Sequence, residues 1–156
     1  MIFVDRYKLL NTIQIIAFTH RQFNFDEIGL FHLDDRERID TLTNLKTNLD
    51  IDELMYLSTC NRVEFIISQE KKITRNFVEK LIKQLLADQL PTNFKNIVDR
   101  VEIINNKAAV HHIFSVASSI DSLVVGEREI ITQVRKAFEE CRENNLCGDV
   151  IRVLVQ

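Results

Sequence analysis

Short apolar runs alternate with longer amphipathic stretches along this chain, and the alternation predicts strands separated by helices. Segment 12–19 (TIQIIAFT) is apolar and rich in β-branched residues, which is typical of a buried strand. Two further apolar runs, 54–57 and 63–67, flank a short polar segment. This pattern predicts a hairpin, in which Asn61 at the bend suits a positive φ. A fourth short strand is predicted at 101–104 (VEII).

Amphipathic patterns predict helices between these strands. One helix is predicted to begin at Asp34, with Glu37 three residues later completing a capping box. A second begins at Thr74 and ends before Pro91, which cannot continue a helix. The polar segment 93–96 is interpreted as a linker. The resulting order is strand, helix, strand, strand, helix, strand.

That order predicts an α+β fold, a ferredoxin-like βαββαβ sheet with a C-terminal helical extension. Residues 1–105 would form the sheet subdomain and residues 106–156 a helical part of the same domain, with helices at 107–119 and 127–145. In this topology the first two strands are parallel and the third lies between them. His20, Cys60 and Arg62 are therefore expected to converge at one edge of the sheet.

A cysteine two residues from an arginine at a sheet edge suggests a nucleophile next to a substrate-binding group. A fixed cation favours the thiolate form of Cys60, and the thiolate is the nucleophilic form of cysteine. The planar guanidinium of Arg62 is suited to binding a substrate carboxylate. The alternative is structural: a buried cysteine at the end of a strand, beside a surface arginine.

Composition narrows the possible functions. The chain of 156 residues, 46% of them apolar, fits one domain of ordinary size. A net charge of −3 gives no general attraction to nucleic acid, and the lysines at 71, 72, 80 and 83 are interpreted as a solvated face rather than a nucleic-acid site. Three cysteines without a CxxC pair argue against a disulfide framework and a metal site. Neither a signal peptide nor a membrane span is found, so a cytoplasmic protein is expected.

Two motifs resemble one known family. Residues 58–64 (STCNRVE) are similar to the STCNRxE signature of glutamyl-tRNA reductase. Residues 112–127 (HIFSVASSIDSLVVGE), followed by Ile130 and Gln133, resemble the second conserved stretch of the same family. The resemblance covers roughly residues 13–156 and is to the N-terminal catalytic domain. It implies that the chain is cut before the NADPH-binding domain and the helical dimerisation domain of the family.

The resemblance implies a thioester mechanism. Cys60 would take the glutamyl group from glutamyl-tRNA, and NADPH, bound by a domain that this fragment lacks, would reduce the thioester to glutamate-1-semialdehyde for tetrapyrrole biosynthesis. This fragment alone would be limited to acyl transfer or ester hydrolysis. The full-length protein would form a homodimer with a second copy of itself through its C-terminal helices.

The resemblance also implies site residues. Cys60 and His112 would be catalytic, and His112 rather than His111 occupies the motif position. Arg62 would hold a glutamate carboxylate. Two positions depart from the family, which usually has Pro-Gln where this chain has Arg128-Glu129. The implied substrate-binding positions are Thr59, Asn61, Arg62, Ser122, Glu127, Arg128, Glu129 and Gln133.

Two other classes of function remain open from the residues. Ferredoxin-like sheets also serve as non-enzymatic ligand- or RNA-binding modules, which have no need of a reactive thiol at the sheet edge. A cysteine-based redox protein would instead need Cys141 or Cys147 close to Cys60, to act as a resolving thiol. Otherwise those two thiols are interpreted as packing or surface residues.

Overall fold

The computed structural model describes residues 6–118 and 129–156. They form the α+β fold expected from the sequence, with one four-stranded antiparallel sheet in the order β2-β3-β1-β4. The strands are β1 (Ile13–Thr19), β2 (Glu53–Thr59), β3 (Arg62–Ser68) and β4 (Glu102–Asn105). The helices are α1 (Arg6–Thr12), α2 (Phe25–Gly29), α3 (Arg38–Asn48), α4 (Arg75–Leu86), α5 (Phe94–Arg100), α6 (Asn106–Ala117), α7 (Glu129–Glu143) and α8 (Asp149–Val155).

Strand β3 lies between β1 and β2 and is antiparallel to both, so β1 and β2 run in the same direction. Arg62, the first residue of β3, pairs with Thr19 at the end of β1 and with Thr59 at the end of β2. The predicted strand order and directions are therefore those of the sheet. The segments that follow β1 and β2 meet at the edge where β3 begins.

Helix starts differ from the prediction in two places. The capping box lies at α2, where Asn24 accepts from the Glu27 backbone N–H at 2.8 Å and the Glu27 carboxylate accepts from the Asn24 N–H. The predicted box at Asp34 is wrong, because the Asp34 carboxylate instead accepts from the Arg36 N–H at 2.9 Å in a tight turn. Helix α3 consequently begins at Arg38, without a side-chain cap. The predicted helix start at Thr74 is confirmed, since Thr74 is the N-cap of α4 and its hydroxyl accepts from the Phe77 N–H.

Helices α1 and α5 were not predicted. Helix α5 occupies the segment interpreted as a linker and buries Ile97 and Val98. Arg75, at the start of α4, donates to the carbonyl oxygens of Val98 and Val101 at the C-terminal end of α5. This tertiary contact satisfies carbonyls that a helix end leaves unpaired, and local sequence patterns do not report it.

The core fills both sides of the sheet. Phe18 on β1 stacks on Phe31 at 3.9 Å between ring centroids and meets the edge of Phe65 on β3. Tyr56 on β2 also packs against Phe65, and its hydroxyl donates to the Phe31 carbonyl at 2.8 Å. Helix α6 lies against β1 and β4, whereas α7 and α8 lie against β2. Among the helices in the described ranges, none is both long and apolar enough to cross a membrane.

Candidate active site

A two-residue loop, Cys60-Asn61, joins β2 to β3 and carries the candidate nucleophile. Asn61 is buried, and its side-chain oxygen accepts from the Thr59 hydroxyl at 3.0 Å. Its carbonyl accepts from the His20 backbone N–H at 3.1 Å. The expected positive φ at Asn61 is absent from the structure. Contacts from β2 and from the end of β1 hold the bend instead, and Cys60 stays exposed on a fixed loop.

A buried charge network lies directly behind this loop. Arg62 Nη1 donates to Glu64 Oε1 at 2.8 Å, and His112 Nε2 lies 2.6 Å from the same oxygen. The side chains of Arg62 and Glu64 are 2% and 1% exposed, and that of His112 is 11% exposed. Arg62 therefore donates to this carboxylate, and the same oxygen lies within hydrogen-bond distance of the His112 ring. The network ties α6 to β3 immediately after the Cys60 loop.

The surroundings of Arg62 contradict one of the two sequence-based interpretations, that of a surface arginine. It is not a surface arginine, since the residue is 1% exposed and forms an ion pair with Glu64. Its charge is therefore partly balanced from inside the protein before any substrate arrives. The role of Arg62 in binding a substrate carboxylate stays a prediction, and it requires the carboxylate to approach a guanidinium that Glu64 already contacts.

Glu64 is the residue to which sequence reasoning assigned no role. The signal was present, because this carboxylate stands inside a strand whose other interior residues, 63 and 65–67, are all apolar. An ionisable side chain buried in a sheet is rare unless it is paired. The partner could not be found from the sequence, since His112 is 48 residues away and reaches Glu64 only through the packing of α6 on the sheet.

The three cysteines have different environments. Cys60 is exposed, Cys147 is half-buried and Cys141 is buried on α7. Burial raises the pKa of the Cys141 thiol to about 12 and that of Cys147 to about 11. Leu146, beside Cys147, accepts from the Leu54 N–H near the start of β2, at the end of that strand away from Cys60. Cys147 is therefore badly placed as a resolving thiol for Cys60.

A cleft of about 170 Å³ lies between β2, an edge strand of the sheet, and α7, with Ser58 and Gln133 in its lining. The Ser58 hydroxyl lies 2.5 Å from His32 Nδ1, and loss of solvent around the ring lowers the pKa of His32. The structure therefore brings the predicted substrate residue Gln133 to the end of the strand that leads into Cys60. Ser58 and His32 form a polar pair at the same end.

The remaining predicted site residues divide into two groups. Glu129, the first residue of α7, is exposed on the surface. Ser122, Glu127 and Arg128 lie outside the described residues. In the described parts of the chain, residues 6–118 and 129–156, no group of three or more His, Cys, Asp or Glu side chains is arranged to hold a metal ion.

Comparisons with known proteins decide the family. The sequence profile described as "Glutamyl-tRNAGlu reductase, N-terminal domain" matches residues 16–156. The chain belongs to the glutamyl-tRNA reductase family. Within it, the chain is 36% identical over 137 residues to a glutamyl-tRNA reductase of Nitratiruptor sp., covering 86% of this chain and 31% of that protein. It is 35% identical over 145 residues to one of Campylobacter concisus, covering 90% and 32%.

The fold agrees with a solved glutamyl-tRNA reductase from Methanopyrus kandleri, with a TM-score of 0.69 over 93% of this chain and 32% of that one. The two sequences are 20% identical, so this comparison bears on the fold. The chain spans about a third of the length of the glutamyl-tRNA reductases it matches. The STCNRVE motif at 58–64 that suggested the family is the segment that forms the exposed loop and the charge network behind it.

Proposed function

We propose that this chain is the acyl-accepting catalytic domain of a glutamyl-tRNA reductase. The Cys60 thiolate attacks the ester carbonyl of glutamyl-tRNA, a C–S bond forms, the bond to the ribose oxygen breaks, and that oxygen takes up a proton. With hydride supplied from NADPH, the thioester would then be reduced to glutamate-1-semialdehyde for tetrapyrrole biosynthesis, and the C–S bond would break to return the Cys60 thiolate. A thiol suits this sequence because a thioester accepts hydride more readily than an oxygen ester, and covalent capture separates the two steps.

The observation that carries the proposal is the contrast among the thiols. Cys60 is exposed on a loop held from both neighbouring strands, whereas burial raises the pKa of each of the other two thiols. A nucleophile needs access and a fixed position, and among the three cysteines of this chain Cys60 alone combines them. A binding module would have no use for that combination.

The network behind Cys60 supports a division of roles. Glu64 fixes the ring of His112 through Nε2, so that His112 can act in proton transfer from a set orientation. The same carboxylate compensates the buried charge of Arg62. Substrate binding is proposed for Thr59, Asn61, Arg62, Ser122, Glu127, Arg128, Glu129 and Gln133, as the family motifs imply.

NADPH is not assigned to residues of this chain. The three glycines of this chain, Gly29, Gly126 and Gly148, are too widely separated to form the Gly-rich turn that holds a dinucleotide pyrophosphate. The residues present therefore fit acyl transfer, and no reduction step is derived from them. Assembly as a homodimer through helices outside this chain and a cytoplasmic location remain part of the proposal.

The proposal extends to the fold. The strand order β2-β3-β1-β4 and the βαββαβ sequence of elements support a ferredoxin-like sheet, residues 1–105, with residues 106–156 as a helical part of the same domain. Helix α6 supports that assignment, because it packs on β1 and β4 and carries His112 to the network.

The test is covalent capture of glutamate. The chain is incubated with tRNA carrying radiolabelled glutamate and without NADPH, the tRNA is digested, and the label retained on protein is measured. We expect label that hydroxylamine releases, because hydroxylamine cleaves thioesters. Cys60→Ala should retain none, whereas Cys147→Ala, with the thiol lost away from the site, should retain as much as the wild type.

Equal label on the wild type and on Cys60→Ala would show that Cys60 is not the acceptor. The non-enzymatic binding module would then be the better assignment. Binding of glutamyl-tRNA without covalent label would point the same way, since a binding module requires no acyl transfer.

A further inference from the structure

A basic cleft lies at the end of the sheet opposite Cys60. Strand β3 begins beside the Cys60 loop and ends at Ser68, and the residues just after it line a cleft of about 320 Å³. At about 3.3 Å per residue, the seven residues of β3 place the cleft roughly 20 Å from the loop. The lining comes from the end of α3, the segment after β3 and the start of α4: Asn48, Leu49, Asp50, Gln69, Lys71, Lys72, Thr74, Asn76, Phe77 and Lys80.

The segment that carries two of the lysines is held by buried amides. Gln14, which is 3% exposed, donates to the Lys71 carbonyl at 2.8 Å and accepts from the Ile73 N–H. Gln69, which is 6% exposed, donates to the same Lys71 carbonyl at 2.9 Å. Two buried side chains therefore fix the backbone on which Lys71 and Lys72 stand, so the lysines are presented from a set position rather than from a loose loop.

The positive charge of the cleft is largely uncompensated. Within the described part of the chain, Lys71, Lys72 and Lys80 form no ion pair, and Asp50 is the acidic residue in the lining. Lys83, one turn further along α4, pairs with Glu79 at 3.0 Å and lies outside the cleft. The first turn of α4 also opens here and adds backbone N–H groups that favour an anion.

The side chain of Gln69 adds a second chemical requirement for a ligand of this cleft. Its Oε1 is buried and lacks a hydrogen-bond partner among the residues that the structure describes. A buried acceptor without a partner costs free energy, and a ligand that brings a donor would satisfy it. The cleft thus offers ammonium groups for an anion beside one acceptor for an O–H or N–H group. The RNA backbone carries both groups in every nucleotide, a phosphate and a ribose 2′-hydroxyl.

We propose that this cleft binds the sugar–phosphate backbone of glutamyl-tRNA, about 20 Å from the thiol that takes its glutamyl group. Lys71, Lys72 and Lys80 contact phosphates, and Gln69 Oε1 accepts from a 2′-hydroxyl. This inference rests on the proposed function, because that function brings the 3′ end of a tRNA to Cys60. The two contacts at opposite ends of one strand then set the direction in which the tRNA lies along the domain.

The test compares tRNA binding as a function of salt. Binding of tRNA to the wild-type chain is measured from 50 to 300 mM salt, together with the triple variant Lys71→Gln/Lys72→Gln/Lys80→Gln. Each lost phosphate contact lowers the log–log salt slope by roughly 0.7 to 0.9. We expect the triple variant to lose about 2 units of slope and to bind at least about tenfold more weakly at 150 mM salt. Lys83→Gln is the matched control and should leave both quantities unchanged.

Two further arms separate the possible outcomes. An RNA hairpin should bind the wild type more tightly than a DNA hairpin of the same sequence, and equal binding would overturn the assignment to Gln69. Covalent labelling of Cys60 at subsaturating glutamyl-tRNA should be slower in the triple variant than in the wild type, and unchanged in Lys83→Gln. Equal salt slopes and equal tRNA affinities for the wild type and the triple variant would overturn the assignment of this cleft to tRNA binding, even if Cys60 is labelled. A lysine-dependent slope without any labelling of Cys60 would overturn the proposed function instead.

Discussion

His112 Nε2 lies 2.6 Å from Glu64 Oε1, although 48 residues separate the two in sequence. The contact joins α6 to the central part of the sheet, and the same oxygen accepts from Arg62. A single buried carboxylate therefore connects the strand that follows the Cys60 loop with the helix that carries the second family motif. Residues of both family motifs meet at this oxygen.

Replacing Glu64 should damage stability and acyl transfer together. Glu64→Ala removes a buried carboxylate that contacts both Arg62 and His112, and removal of one partner of a buried pair costs about 3–5 kcal/mol. Urea unfolding gives the stability, and covalent labelling of Cys60 gives the activity. Glu139→Gln, an exposed position on α7, is the control. A Glu64→Ala chain within about 0.5 kcal/mol of the wild type would contradict the ion pair.

The thiols should react with iodoacetamide in a fixed order. Cys60 is exposed, whereas burial raises the pKa of Cys147 to about 11 and that of Cys141 to about 12, so those two stay largely protonated at pH 7 to 9. We expect mass spectrometry to find Cys60 alkylated first throughout that range. Unfolding in urea should abolish the order, and an order that persists in urea would mean that the folded environment is not its cause.

His32 should make the chain less stable in mild acid. Desolvation lowers the pKa of His32 in the folded state below its unfolded value of about 6.5, so the unfolded chain takes up the proton more readily. The contribution of His32 to the free energy of unfolding is therefore complete above about pH 6.5 and is lost as the pH falls below that value. The drop in Tm between pH 7.5 and pH 5 should be smaller for His32→Gln than for the wild type. His111→Gln, an exposed position on α6, should show the wild-type drop.

Two glycines should respond in opposite ways to alanine. A Cβ on Gly148 would lie 2.9 Å from Glu53 Oε1, and this carboxylate accepts from the Val150 and Ile151 N–H groups at the start of α8. Gly148→Ala should therefore disturb the cap and cost about 1 kcal/mol in urea unfolding. A Cβ on Gly29 would meet nothing within 4 Å, so Gly29→Ala should be neutral or stabilising. Equal effects at the two positions would show that the Glu53 cap does not matter.

The sheet could be predicted from the sequence because its strands are short apolar runs of β-branched residues bounded by polar breaks. Their order along the chain restricts the possible pairings, and the predicted order and directions are those of the structure. The signal for a helix start at Thr74 was equally local, and that start was predicted correctly. The helix at Phe94–Arg100 was missed, because it depends on burial and on the contacts that Arg75 makes with Val98 and Val101.

The sequence by itself determined the family, the candidate nucleophile and the strand order, since motifs, residue types and periodicity are local properties. Tertiary structure decided what surrounds each group. It buried Arg62 against Glu64, brought His112 to the same carboxylate, and left Cys60 exposed while it covered Cys141. It also gathered Lys71, Lys72 and Lys80 around one cleft. The physical reason is that burial and charge pairing depend on which distant segments pack together, and that packing sets whether a charged side chain faces solvent or a partner.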